Sequence, residues 1–282
     1  MPEPAEAPEP EPEAEPEPAE PLPSRWATDP ADPEGAELLP ANELILDFPG
    51  AASAAVQIAS DLHLEFIREG CGAELDMDAM IVPSAPILAL LGDIGIPTHT
   101  LYREFLLHQA GRFAAVLVLT GNHEFYDVGH TSMPAPRVGQ TYSDASREWG
   151  RRPRHSAHDM ELQIQAICEE HASLHYIDNR VVRLGCGKTA PALLCTPLWS
   201  HIPAPAMGEV ARSLNDYRMA YVQADPPCPM TDWRGDNCED VKGVQNSRGQ
   251  ALRRLTPQDT SRWHGLAVRF IQREVCSPYP WL

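Results

Sequence analysis

Ala114-Ala115-Val116-Leu117-Val118-Leu119-Thr120-Gly121-Asn122-His123-Glu124 is an apolar run that ends abruptly in residues able to turn, coordinate and donate. A run rich in Val and Leu with no polar alternation is what a strand covered on both faces requires. Gly121 then allows a turn, and Asn122 and His123 arrive side by side at the strand's carboxyl end. Taken alone, an Asn-His pair there reads as a loop beside a core histidine. The same grammar, however, occurs twice upstream. Ala55-Val56-Gln57-Ile58-Ala59-Ser60 runs into Asp61-Leu62-His63, and Pro86-Ile87-Leu88-Ala89-Leu90-Leu91 runs into Gly92-Asp93. Asp61 and Asp93 are 32 residues apart, and Asp93 and Asn122 are 29 apart. Each interval fits one β-α-β crossover, so the spacing predicts parallel strands with their carboxyl ends on one edge. That edge is where open α/β sheets bind ligands. One residue separates Asp61 from His63, which in an extended chain puts both side chains on one side. Two carboxylates, an imidazole and an amide oxygen are thereby expected to converge.

Asp61-x-His63, Gly92-Asp93 and Gly121-Asn122-His123-Glu124, in that order and with strands before them, resemble the first three blocks of the calcineurin-like metallophosphoesterase family. Thr196-Pro197-Leu198-Trp199-Ser200, Asn215-Asp216-Tyr217-Arg218 and Leu255-Thr256-Pro257 are similar to a microbial-type branch of it. The resemblance runs from about Ala51 to the C-terminus. It implies an α/β sandwich of two β-sheets flanked by helices, and hydrolysis of a phosphoester with divalent metal. Carried over residue by residue, Asp61 and His63 hold a first ion, Asp93 bridges, and Asn122 binds a second. Two cations about 3.5–4 Å apart acidify a water and neutralise the phosphoryl oxygens. His123 then protonates or stabilises the leaving oxygen. Mixed carboxylate and imidazole ligands suit Mn, Fe or Zn rather than calcium.

The sequence departs from the family's pattern at its end. The later blocks, a histidine pair after a strand and a Gly-His-x-His, have no counterpart, and Gly129-His130 lacks both the second histidine and the strand. The expected fold is therefore C-terminally incomplete, with three protein ligands for the first ion and two for the second. One metal site and weak activity are expected. The alternative is a catalytically impaired fragment or an interaction protein that keeps the front half of the fold.

Charge divides the chain. Of the net charge of −18, the stretch from Met1 to Asp47 carries −13, with Arg25 its one basic residue, which leaves −5 for the rest. Pro2 to Pro23 is Pro, Glu and Ala with Leu22 the one bulky apolar residue, too little to offset ordering entropy. Residues 1–50 are read as a disordered acidic tail and residues 51–282 as the domain. The tail reads as a solvated spacer, with any protein partner unspecified. No basic block offsets it, so nucleic acid is not an expected partner. No apolar run approaches a membrane span and no signal segment is apparent. Seven cysteines without a Cys-x-x-Cys pair suggest free thiols. The expected location is cytoplasmic.

Along the domain, helices are expected at Thr98 to about Phe113, Asp159 to about His171 and Thr256 to about Val275. The last opens on a capping threonine with proline next. Leu44-Ile45-Leu46 is a candidate edge element, and Val181–Leu184 and Ala192–Cys195 are candidate strands of a second sheet. Thr131 to Arg154 reads as loop, with Arg151, Arg152 and Arg154 as candidate phosphate contacts. His99 and His108 read as surface residues. His171 and His175 are assigned to a helix C-terminus, and His201 to the surroundings of the metal site.

Overall fold

The computed structural model describes residues 43–47, 55–67, 75–127, 141, 153–186, 190–224 and 244–276. In chain order they form β1 (Glu43–Leu46), β2 (Val56–Ala59), α1 (Met77–Met80), β3 (Ile87–Leu91), α2 (Thr100–Ala110), β4 (Ala115–Leu119) and α3 (Ala157–Glu169). There follow β5 (Leu174–Tyr176), β6 (Arg180–Leu184), β7 (Ala192–Cys195), α4 (Met207–Ser213), α5 (Asp216–Met219), β8 (Tyr221–Gln223), β9 (Leu252–Arg254) and α6 (Pro257–Cys276).

The run at Ala115–Leu119 is unbroken because both of its faces are covered. Val116 and Val118, with Leu88 and Leu90 of β3, pack against Tyr102, Phe105 and Leu106 of α2 and Ile164 and Ile167 of α3. The alternate residues Ala115, Leu117 and Leu119, with Ile87 and Ala89, meet Leu46, Val182 and Leu184 of a second sheet. Successive side chains of a strand point to opposite faces, so two apolar environments demand an apolar residue at every position.

The strand order of the larger sheet is β2-β3-β4-β5, all parallel, as the block spacing predicts. The second sheet runs β1-β6-β7, with β1 and β6 parallel and β6 and β7 antiparallel. The architecture is mixed α/β, a parallel sheet with helices on one face and a second sheet on the other. A two-stranded ribbon of β8 and β9 and the helices α4 to α6 complete it, around a third apolar cluster that includes Phe125, Tyr217, Val222, Leu255 and Trp263.

Three details depart from expectation. Glu43–Leu46 is a full parallel strand on β6, pinned by Arg183 Nε donating to Glu43 Oε1 at 2.6 Å, so the folded sheet takes a strand from ahead of Ala51. His175 lies on β5 opposite Leu117, not at a helix end. The helix before it stops at Glu169, and burial, aided by Arg180, lowers the His175 pKa. The paired strands Tyr221–Gln223 and Leu252–Arg254 fall in stretches to which the sequence assigned no element. Pro2–Pro23, Arg151, Arg152 and Gly129-His130 lie outside the described residues.

Candidate metal centre

The three motif blocks are locked together by their backbones. Asp61 N donates to Gly92 O at 3.1 Å, His63 N to Asp93 O at 3.0 Å and Leu64 N to Ile94 O at 2.9 Å. The first block thus runs on alongside the second past the end of β2. The chain is not extended there: Asp61, His63 and Asp93 have φ of 57°, 49° and 54°. Left-handed backbone at a non-glycine residue costs about 1–3 kcal/mol and persists where the surroundings over-determine it. Asp61 and His63 therefore converge through left-handed turns, and not through the two-residue period of a strand.

Glycine permits the approach of the third block. A Cβ on Gly92, whose φ is +95°, would lie 2.3 Å from Gly121 N, and one on Gly121 would lie 2.2 Å from Asp93 Oδ1. No side chain fits at either position. Glu124, fully buried, then ties the second and third blocks. Its carboxylate accepts from Gly121 N at 2.7 Å, Ile94 N at 2.8 Å and Asp93 N at 3.0 Å. Burial raises its pKa to about 7 against the opposing pull of these three bonds.

Asp61, His63 and Asp93 each offer one ligand atom within 4.8 Å of the others. Asp93 is steadied by His123 N donating to its Oδ1 at 2.9 Å. Asn122 is oriented by a neighbour in its own loop and by a residue distant in the chain. Its Nδ2 donates to Asp216 Oδ1 at 2.6 Å and to the Tyr126 hydroxyl at 2.8 Å, so Oδ1 is left as the acceptor. Tyr126 donates to the same Asp216 oxygen at 2.7 Å, and burial followed by that contact raises its pKa.

A second group of potential ligands, His63, Glu65 and His123, shares His63 with the first. Glu65 Oε1 lies 3.2 Å from His63 Nδ1 and 2.6 Å from His123 Nδ1, while its Oε2 is buried without a hydrogen-bond partner. His123 packs edge-on to His63 and tilted against Tyr126, with centroids 4.3 and 4.4 Å apart. Phe66, 71% exposed, stands at the rim 5.6 Å from the His63 ring. Carboxylates and imidazoles gathered in this way fit a metal cation.

Sequence reasoning missed Glu65, Tyr126 and Asp216 as parts of the site. Glu65 was signalled by the repeat Asp61-x-His63-x-Glu65 and Asp216 by its place in the block Asn215-Asp216-Tyr217-Arg218, but Tyr126 and Asp216 are 90 residues apart and meet in the fold. His201 is exposed, its ring 5.8 Å from His264, and belongs to neither ligand group. Arg154 binds Asp127 at 3.3 Å and lies over the Tyr221 ring, and His155 Nδ1 is 3.2 Å from the same aspartate. His108 Nε2 pairs with Asp78 at 3.0 Å near the surface, whereas His99 stands at the N-cap position of α2 without a side-chain capping bond and is half-buried.

No family model matches the chain. An uncharacterised protein of Acanthamoeba polyphaga mimivirus is 21% identical over 224 residues, which is 78% of this chain and 62% of that protein. The chain thus spans less than two thirds of the length of the curated relative it matches. Among solved structures, the phosphopantetheinyl hydrolase of Mycobacterium tuberculosis is 20% identical over 63% of this chain and 57% of its own, with a TM-score of 0.35. A likeness at that score carries no argument about chemistry.

Proposed function

We propose that the chain is a metal-dependent phosphoester hydrolase of the calcineurin-like type, its two sheets and flanking helices belonging to that sandwich. One observation carries the reading: the ligand atoms of Asp61, His63 and Asp93 gather within 4.8 Å at the carboxyl edge of a parallel sheet. Asp61, His63 and Asp93 would hold one ion, and Asp93 with Asn122 a second. Bound divalent ions supply the positive charge that acidifies a water and neutralises phosphoryl oxygens. The protein's own part is orientation and proton delivery. Asp216 turns the Asn122 carboxamide, the amide of His123 holds the Asp93 carboxylate, and the His123 ring passes a proton to the leaving oxygen.

The test is hydrolysis of bis(p-nitrophenyl) phosphate by the full chain with Mn²⁺, alongside calorimetry of Mn²⁺ binding. We expect weak turnover that disappears in Asp61→Ala and His123→Ala, and binding that disappears in Asp93→Ala. Turnover is expected to be weak because, among the described residues, Asp93 and Asn122 would be the groups holding a second ion, and each electrostatic contribution of this kind is worth on the order of a hundred-fold. Turnover that survives Asp61→Ala, or no Mn²⁺ binding by the unaltered chain, overturns the reading. Binding without turnover favours the interaction protein.

A further inference from the structure

The hydrolase reading leaves the Glu65 carboxylate without a task. Its side chain is 4% exposed, against 28% for His63 and 19% for His123. Burying a carboxylate is costly unless its oxygens are hydrogen-bonded, and here Oε2 has no partner. Oε1 therefore has to offset that cost, and its two neighbours are imidazole nitrogens, at 3.2 Å on His63 and 2.6 Å on His123. The local backbone produces this convergence. His63 is left-handed, and the one-turn 3-10 helix Leu64–Phe66 folds back on it, with Phe66 N donating to His63 O at 3.0 Å. The Glu65 side chain is thereby brought back beneath the ring two residues before it.

An ionised carboxylate only accepts, so both nitrogens facing Oε1 must carry hydrogen. A neutral imidazole carries one such hydrogen. With it on Nδ1, the lone pair is on Nε2. We infer that Glu65 is a positioning residue that sets the tautomer of both imidazoles at once. For His63 this leaves the Nε2 lone pair free for the cation group with Asp61 and Asp93. For His123 it leaves Nε2 as the nitrogen free to exchange a proton with substrate. What the two Nε2 atoms then do rests on the hydrolase reading; the tautomers themselves do not. Partners of metal-binding histidines act in this way, fixing ring orientation through the nitrogen the metal does not use. What is particular here is that a single oxygen serves a metal-facing ring and the proton-transferring ring together, so a shift of one is felt by the other.

Long-range ¹H–¹⁵N NMR of the metal-free full chain, at a pH where both rings are neutral, reads the tautomers directly. The unaltered protein is expected to show hydrogen on Nδ1 of His63 and His123. Glu65→Leu, which removes the acceptor, is expected to move both rings toward hydrogen on Nε2, whereas Glu65→Gln, which keeps an oxygen at Oε1, is expected to preserve them. Mn²⁺ binding by calorimetry should weaken by on the order of ten- to a hundred-fold in Glu65→Leu, with Glu65→Gln nearer the unaltered protein. Should Glu65→Leu not fold, Glu65→Asp replaces it. Its shorter side chain is expected to release the longer contact, to His63, first. Hydrogen on Nε2 in the unaltered chain, or tautomers unchanged in Glu65→Leu or Glu65→Asp, overturns the inference. So does equal Mn²⁺ affinity in the unaltered protein and Glu65→Leu. If the unaltered chain binds no Mn²⁺, the hydrolase reading fails and the tautomers alone decide the role of Glu65.

Discussion

The described residues of 55–127 and those of 196–276 hold their functional parts by different means. In the loops of the first region that carry the motif blocks, backbone meets backbone. Gly92 lies against Gly121, the loop after β2 runs on the loop after β3, and a buried carboxylate gathers three main-chain amides. In the second region, apolar bulk meets apolar bulk. Trp199 and Trp263, joined by Phe125 reaching in from the first region, have ring centroids 5.3 to 6.3 Å apart, and Tyr217, Val222 and Leu255 close the cluster. Polar locks place atoms to within a hydrogen bond but fail when one acceptor is lost. Apolar clusters tolerate imprecision and respond to lost volume. The metal-facing groups stand on the first kind of support, apart from Asn122, which takes its orientation from Asp216 in the second.

The largest effect expected from breaking this contrast is at Glu124. Glu124→Ala leaves the amides of Asp93, Ile94 and Gly121 without their acceptor. At about 1–3 kcal/mol for each buried unsatisfied group, the loss is ~3 kcal/mol or more by chemical denaturation. Mn²⁺ binding should fall with it, because the amides hold the loops that carry Asp93 and Asn122. Trp263→Ala should cost a comparable ~3–4 kcal/mol through the cavity it leaves. Molecules that remain folded should nonetheless bind Mn²⁺ as the unaltered chain does. If Trp263→Ala abolishes binding by folded protein, the two regions are one cooperative support and the contrast is wrong.

The fold and site were legible to different depths for the same reason. The central strand, its two upstream companions and their parallel order could be read, because a doubly buried strand leaves an unbroken apolar run and a crossover leaves a fixed interval. The first three motif blocks could be read as adjacent. The route by which Asp61 and His63 meet could not, since three left-handed residues carry no compositional mark when none of them is glycine. Glu65 escaped notice because its contact with His123 depends on that turn. β1 was a bare candidate because four residues, alternately exposed and half-buried, carry little pattern until β6 lies beside them. β5, β8 and β9 are three residues each, shorter than any periodicity can reveal. The Asn122, Tyr126 and Asp216 triangle joins residues 90 and more apart, a distance no local pattern spans.

A smaller effect isolates a side-chain link between the regions that reaches the site. Asp216→Ala removes the acceptor shared by Asn122 and Tyr126 but leaves Asp61, His63 and Asp93 untouched. Turnover of the aryl phosphate is expected to drop by on the order of ten-fold, while Mn²⁺ affinity at the first group stays within about two-fold. An equal loss of first-site affinity would show that Asp216 supports the whole centre and not the Asn122 carboxamide.

The smallest expected effect concerns the polar tether between α3, which packs through Ile164 and Ile167 on the sheet of the first region, and the second region, and it is read by pH. Asp159 opens α3 in a capping box with Ser156, its Oδ2 accepting from Ser156 N at 2.8 Å. The same carboxylate receives Asn246 Nδ2 at 3.3 Å and pairs with Arg248, both from the second region. Burial by itself would raise the Asp159 pKa. The Ser156 hydroxyl and amide, Asn246 and Arg248 together outweigh it and leave the pKa below the ordinary aspartate value. A folded pKa below the unfolded one means that the unfolded chain takes up the proton first as pH falls. The stability contributed is therefore whole above the unfolded value of about 3.9 and is lost as pH drops through the folded one. Asp159→Asn, which keeps the oxygen but removes the charge at a helix N-terminus, should cost ~0.5–1 kcal/mol near neutrality, a difference that shrinks once pH falls below about 4. Because the lost partners are Asn246 and Arg248, hydrogen exchange near neutrality should quicken in residues 244–254 of the variant before it changes in Ala115–Leu119. A deficit that persists undiminished in acid, or exchange that quickens first in the central strand, would mean that Asp159 acts on α3 alone and ties nothing across.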